Sequence, residues 1–416
     1  MPAPKKLSSE ALWEYAVRKL SGRAHATGEL RVALAARAAE PADVDAVLSR
    51  LKDYGYLNDS KFAESFATAR LENEGFGQSF GNPKIDPYLA VTLPKMGAEL
   101  KNYFAIGHDS LDNYIAQVTG QAPDTATQND CGVWTKFEPA NKIEKPFNQL
   151  VGNGCVYPKS IPTLGNQLSD AHLSWKAYLQ DMGNDPARDH TTNVKGAGAG
   201  GGTGPACGHA VIGKADDTEG ATPADSYATR HEGFMYFESV IGNQAFCDAH
   251  VQSFQPLLTD LSKASTTPAF SWLSPNLCMD GHDAPCANGD PGGLTEVNSF
   301  LQIWVPQILN SPAYKQGGLI FITFDEGSNG AACCGETLGK SPSHPNVAQP
   351  GMPGPGGGRV GAVLLSPFIK PGTVSTVDYN HYSMLRTIED IFGVSHLGDA
   401  AMPQVKSFGS DVFTKS

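Results

Sequence analysis

The stretch "GGLIFITFDEGS", residues 317–328, decides how the chain is read. Its apolar run is continuous rather than alternating and is bounded by glycines, the pattern of a strand buried on both faces. The run ends in adjacent carboxylates, Asp325 and Glu326, and open α/β sheets take their ligands at such strand ends. Neighbouring carboxylates repel unless a cation neutralises them, so a divalent metal with oxygen ligands suits the pair. A solvated turn after a strand is the alternative. "RVGAVLLSPFIKPG", residues 359–372, has the same texture, and "SLDNYIAQVTG" (110–120), "TEVNSFLQIWVPQIL" (295–309) and "HYSMLRTIEDIFG" (381–393) read as covering helices. The fold class is therefore α/β, a parallel sheet with helices around it. The glycine-rich segments "KGAGAGGGTGPACGH" and "QPGMPGPGGGR" are loops, since neither matches a phosphate-cradling G-x-x-x-x-G-K-[ST].

Upstream, residues 8–71 carry helical spacing throughout. "SSEALWEYAVRKLSGR" opens on a capping signal and repeats apolar residues at Leu12, Tyr15, Ala16 and Leu20. "HATGELRVALAARA" aligns Leu30, Ala33 and Leu34, while "EPADVDAVLSRLKDYG" places Pro41 in a first turn, then Val44, Val47, Leu48 and Leu51 before Gly55. "NDSKFAESFATARLENEG" is the fourth such segment. A small all-α module of three or four helices, residues 1–71, thus precedes an α/β domain, residues 72–416.

Residues 1–71 hold 11 Lys and Arg against 9 Asp and Glu, whereas the remainder is net −14 within a chain total of −12. A body this acidic excludes generic nucleic-acid binding, which needs clustered cations. No run is long and apolar enough to cross a membrane. The N-terminus, "MPAPKKLSSEALWEYAVRKL", shows no apolar core of an export signal, so a cytoplasmic location is expected of the chain as written. All 8 cysteines lie beyond residue 130, which favours disulfides and an oxidising compartment over zinc, since no C-x-x-C pair occurs.

Three histidines sit in loops rich in Gly, Cys or Arg: His108 in "AIGHDSLDNY", His231 in "YATRHEGF" and His282 in "CMDGHDAPC". Such groups can protonate a leaving group or hold an anionic oxygen, although a lone histidine is more often structural. His25 is read as structural and His381 as either a cap or a rim residue. Ser174, in "DAHLSWKAYLQDMG", gains weight as a nucleophile only beside a metal able to lower its hydroxyl pKa.

Taken with "ENEGFGQSFGNP", "GHDSLDNYIAQVTGQAP", "SPNLCMDGHDAPC", "ITFDEG" and "HYSMLRTIEDIFG", these segments occur in the order of a known family. Residues 72 to about 413 resemble the bacterial phosphoesterases that include acid phosphatases and phospholipase C-type enzymes, within the alkaline-phosphatase-like superfamily. The resemblance implies a metal-dependent phosphoric ester hydrolase acting on a phosphate ester. Glu72, Asn73, Asp325 and Glu326 would hold one divalent metal ion, with Asn73 also reaching the phosphate. Ser174 would be the nucleophile, and His108, His231 and His282 would bind phosphoryl oxygens or protonate the leaving group. Members are usually secreted or periplasmic. The pairs 131–155, 207–247, 278–286 and the vicinal 333–334 are the disulfides we expect.

Residues 8 to about 78 are similar to something else, the start of the recombination regulator RecX, most specifically in "GYLNDSKFAESF". That resemblance implies contact with the recombinase RecA and offers the alternative function: a regulator acting through its helical N-terminus, with an inactive hydrolase portion. "RLENEGFGQ" (70–78) fits both families, as a join of two coding segments at a shared stretch would leave it. On that reading the first apolar strand of the phosphoesterase domain is replaced by helix-forming sequence.

Overall fold

The computed structural model describes residues 6–22, 27–53, 81–194, 204–336 and 356–414. The chain divides into two compact units, Met1–Glu72 and Asn73–Ser416.

In the first unit, helices α1 (Ser9–Gly22), α2 (Thr27–Arg37) and α3 (Pro41–Asp53) form where the 3.6-residue spacing places them. The apolar stripes meet in one small core of Leu12 and Ala16 from α1, Leu30 and Leu34 from α2, and Val44, Val47, Leu48 and Leu51 from α3. Arginines cover its edge, Arg50 lying 4.0 Å above the Trp13 ring and Arg37 4.8 Å above Tyr15. The fourth expected helix and the replaced strand fall on residues 54–80, outside the described residues.

The second unit is mixed α/β. One four-stranded sheet has the order β7-β8-β1-β9, from β1 (Ala98–Leu100), β7 (Ile320–Thr323), β8 (Ala362–Leu365) and β9 (Thr373–Ser375). A five-stranded sheet has the order β3-β4-β5-β2-β6, from β2 (Trp175–Leu179), β3 (Thr192–Val194), β4 (Gly204–Ala206), β5 (Val251–Ser253) and β6 (Phe270–Ser274). Both apolar runs that suggested a sheet are strands, but the parallel expectation holds only in part. β8 runs antiparallel to β7 and to β1, whereas β5, β2 and β6 are parallel. A continuous apolar run reports burial of both faces and says nothing of a neighbour's direction. β7 is also only half-buried, an edge strand among the described residues.

The three expected covering helices are present: α4 (Ser110–Thr119), α5 (Gly293–Asn310) and α6 (His381–Phe392). β8 shows how they enclose the first sheet. Its Ala362 and Leu364 join Tyr103, Ile369, Met384 of α6 and Phe408 on one side. Val363 and Leu365 face Val297, Phe300, Leu301 and Val305 of α5 on the other. In the second sheet, Trp175, Ala177 and Leu179 of β2 enter the main core with Leu111 and Ile115 of α4 and Tyr382 and Leu385 of α6. The opposite face of β2 carries a buried polar pair, Lys176 Nζ 2.7 Å from Asp260 Oδ2, with Tyr178 donating to the same oxygen at 2.6 Å. Disulfides join Cys131–Cys155, Cys207–Cys247, Cys278–Cys286 and Cys333–Cys334, the four expected pairs.

Candidate active site

The loop entering α4 is built by one side chain. Asn113 Oδ1 accepts the amides of Ile106 and Gly107 at 2.8 and 3.1 Å, and its Nδ2 donates to the carbonyls of Gly107 and Asp109, each at 3.0 Å. Gly107 has no room for a side chain, because a Cβ there would lie 1.9 Å from Asp112 Oδ2. Asp109 has φ +68°, ψ 158°, a region other residues leave to glycine, and such strain persists only where its surroundings over-determine it. The loop delivers buried His108 and buried Ser110 to the amino end of a ten-residue helix, where the amides of the first turn favour negative charge.

His108 Nδ1 lies 2.8 Å from Glu326 Oε2, which ties this loop to the end of β7. Burial raises the Glu326 pKa above the ordinary glutamate value; the His108 hydrogen bond pulls it down and the neighbouring Asp325 charge pushes it up again. Asp325 is held by its backbone, its carbonyl 2.6 Å from His381 Nε2, while Tyr103 OH lies 3.0 Å from His381 Nδ1. A carbonyl only accepts, so Nε2 carries the hydrogen and Tyr103 donates to Nδ1. Burial lowers the His381 pKa to about 4, so this histidine is a neutral strut.

A second group approaches α4 from the carboxyl ends of the parallel strands. His231 closes a short turn, Thr229–His231, and its Nδ1 lies 2.7 Å from Asp280 Oδ2. Arg230 Nη2 lies 3.2 Å from His282 Nε2, Nη1 donates to the Glu219 carbonyl at 3.0 Å, and Nε lies 3.4 Å from Asp130 Oδ2. His282 Nδ1 lies 2.9 Å from Asp283 Oδ1. Burial of part of the His282 ring lowers its pKa, but with 45% of the side chain exposed the Asp283 bond and the Asp280 charge prevail, and the net shift is upward.

Two contacts join these groups. Asp130, besides meeting Arg230, accepts the Leu111 amide of α4 at 2.9 Å. Tyr114, one helical turn after Ser110 and on the same face, stacks on His231 at 5.6 Å between ring centres. Thus His108, Ser110, Asp325 and Glu326 stand on one side, and Arg230, His231, Asp280 and His282 on the other.

Ser174, expected to be the nucleophile, is not placed among them. It precedes β2, is exposed, and accepts the Ala269 amide at 3.1 Å. β2 pairs with β6 in parallel, Leu179 opposite Ser274, and Ser274 Oγ donates to the His231 carbonyl. Ser174 therefore sits at the far end of the strand, about 17 Å from the end that meets the histidines, at ~3.3 Å per residue. Glu72 and Asn73 lie outside the described residues, and among those described no group of three or more His, Cys, Asp or Glu side chains is arranged to hold a metal. Sequence reading missed Ser110, Asp130, Arg230 and Asp280. A Gly-His-Asp-Ser run leading straight into a helix was the available signal for Ser110.

The Phosphoesterase family model matches residues 72–395. The chain belongs to the Phosphoesterase family. It is 24% identical over 363 residues to the phosphate-repressible acid phosphatase of Penicillium chrysogenum, covering 86% of this chain and 66% of that protein. The chain spans no more than that share of the curated acid phosphatases it matches, falling to 51% for that of Aspergillus fumigatus. A separate similarity, 41% identity over 69 residues, is to the regulatory protein RecX of Thermus thermophilus, covering 17% of this chain and 47% of that protein. A solved member of the alkaline phosphatase superfamily from Vibrio parahaemolyticus aligns with TM-score 0.39 at 11% identity, covering 79% of this chain and 66% of that one. Every site residue named above, from His108 to Glu326, falls within the span matched to the Phosphoesterase family.

Proposed function

We propose that the chain hydrolyses phosphate monoesters through Ser110. The observation that carries this reading is the placing of a buried hydroxyl at the amino end of α4, beside His108 and on the same helix face as the Tyr114 that stacks on His231. A phosphoryl group there would meet helix amides and three histidines, and phosphoryl transfer depends chiefly on positioning and charge neutralisation. The acid phosphatase relatives support a monoester over a phospholipid diester.

Asp325 and Glu326 would supply two oxygen ligands to a divalent metal; Glu72 and Asn73, the other two ligands the resemblance implies, lie outside the described residues. Glu326 is a half-buried carboxylate beside another, an excess of negative charge that a hard cation relieves. Bound there, the cation would neutralise phosphoryl charge and ease ionisation of the attacking hydroxyl. The four disulfides support an oxidising compartment. Among the described residues no helix is long and apolar enough to cross a membrane.

The test is hydrolysis of an aryl phosphate by purified protein, with and without chelator. Chelator-sensitive turnover that falls at least ~10³-fold in Ser110→Ala and stays within about threefold in Ser174→Ala is expected. Loss in Ser174→Ala with retention in Ser110→Ala overturns the assignment. The RecX similarity and the intact α1–α3 core support a second reading, a module that contacts the recombinase filament. Filament disassembly by the full chain, unchanged in Ser110→Ala, is its expected signature; no effect on filaments removes it.

A further inference from the structure

We infer that Asp280 is the positioning residue that makes His231 the proton donor to the leaving-group oxygen, a role that rests on the phosphatase reading above. A carboxylate only accepts, so the 2.7 Å contact assigns the hydrogen to His231 Nδ1. The other Asp280 oxygen accepts the His282 amide at 2.8 Å, and the Cys278–Cys286 disulfide closes the loop around it. Asp280 therefore bridges a stapled loop and the imidazole.

The ring itself is fixed. Tyr114 stacks on it, the His282 ring lies 5.5 Å away, and its backbone carbonyl accepts from Ser274. With Nδ1 committed, only Nε2 can exchange a proton. Nε2 is buried and has no hydrogen-bond partner among the described residues. Among the described residues, Asp280, Tyr114 and His282 contact the ring, and the titratable Arg230 and buried Glu232 flank it in the chain. Arg230 is already engaged by Asp130, the Glu219 carbonyl and His282. Asp280 is thus the carboxylate in direct contact with the imidazole, and it fixes the ring with Nε2 as the nitrogen left to serve as general acid.

In the first half-reaction the Ser110 oxygen bonds to phosphorus and its proton passes to solvent. The bond from phosphorus to the ester oxygen breaks, its electron pair stays on that oxygen, and the oxygen takes the proton from Nε2. In the second half, water attacks the phosphoserine and gives one proton to the now neutral Nε2. The serine oxygen leaves and takes a proton from solvent, so ester and water have become alcohol and hydrogen phosphate. Asp280→Asn breaks this cycle at a defined point. Its amide N–H would face Nδ1 and select the neutral tautomer bearing hydrogen on Nε2, which is no acid at working pH.

The experiment compares kcat/KM of the full chain, Asp280→Asn and Asp280→Glu on dinitrophenyl, phenyl and ethyl phosphate. A dinitrophenolate leaves without a proton and an ethoxide does not. Asp280→Asn is expected to lose ~10²–10⁴-fold on ethyl phosphate and at least tenfold less than that on dinitrophenyl phosphate. Asp280→Glu, keeping a carboxylate, should recover the parent's leaving-group dependence. His231→Asn should show the same selectivity as Asp280→Asn and serves where that variant does not fold. An equal loss across the three esters in either variant overturns the inference while leaving the phosphatase reading intact. A parent protein inert on all three overturns the reading on which it rests.

Discussion

A serine hydroxyl becomes a nucleophile only where something takes up the charge it develops, and Ser110 and Ser174 differ in that respect. Ser110 is buried at the start of α4, near His108 and within reach of the helix amides. Ser174 is exposed before β2 and occupied by a backbone amide. Sequence offered little to separate them, because serine is common at element boundaries and each lies in a stretch resembling the same family. His108, His231 and His282 could be singled out in the sequence, and the fold gathers them around α4 and its neighbouring loops. Their partners could not be. Asp280 lies 49 positions from His231 and Glu326 lies 218 from His108, separations that only the fold closes. Glu389 provides a test at this scale. It is fully buried, its Oε1 accepting the Leu397 amide, and burial raises its pKa to about 9. Glu389→Gln should raise Tm at pH 8 more than at pH 5, measured by thermal unfolding. An equal shift at both values would exclude ionisation as the cost.

At the scale of elements, the helices were legible because one amphipathic period runs along each, as in α4, α5 and α6. The sheets were legible only as strands. Nothing in "LIFITF" or "AVLL" records that β7 and β8 lie antiparallel, because direction depends on the connections between them. Two local structures hold the site to these elements, and each can be removed. Asn113→Ala would leave the Ile106 and Gly107 amides without their acceptor, at about 2–4 kcal/mol of stability, and should reduce kcat beyond what unfolding explains. Denaturant titration beside kinetics checks both; normal kcat in folded protein would mean that the loop keeps its shape unaided. Replacing Cys278 and Cys286 by serine releases the loop bearing Asp280 and His282. A loss of about 2–3 kcal/mol is expected from the opened ring, with a larger fall on alkyl than on aryl esters.

For the whole molecule, burial of acidic groups sets the pH response. Burial raises Asp124 and Asp399 to about 6 and Glu232 to about 8, as it does Glu389 to about 9. In each case the folded state holds the proton more tightly than the unfolded chain. Their contribution to stability is full below about pH 4, where both states are protonated, and declines as pH rises through the folded values. Between pH 5 and 9 these groups make the protein less stable as alkalinity increases, so Tm should be higher at pH 5 than at pH 8. A higher Tm at pH 8 would mean that opposing groups dominate. An acid-favouring stability profile suits the disulfide-bonded, acid phosphatase character proposed for the body of the chain.

The most direct test is to locate the phosphoryl group. Protein quenched in acid during turnover of an aryl phosphate, digested and read by mass spectrometry, should carry phosphate on the peptide containing Ser110. Phosphate on the peptide containing Ser174, or on neither while turnover proceeds, would contradict the account.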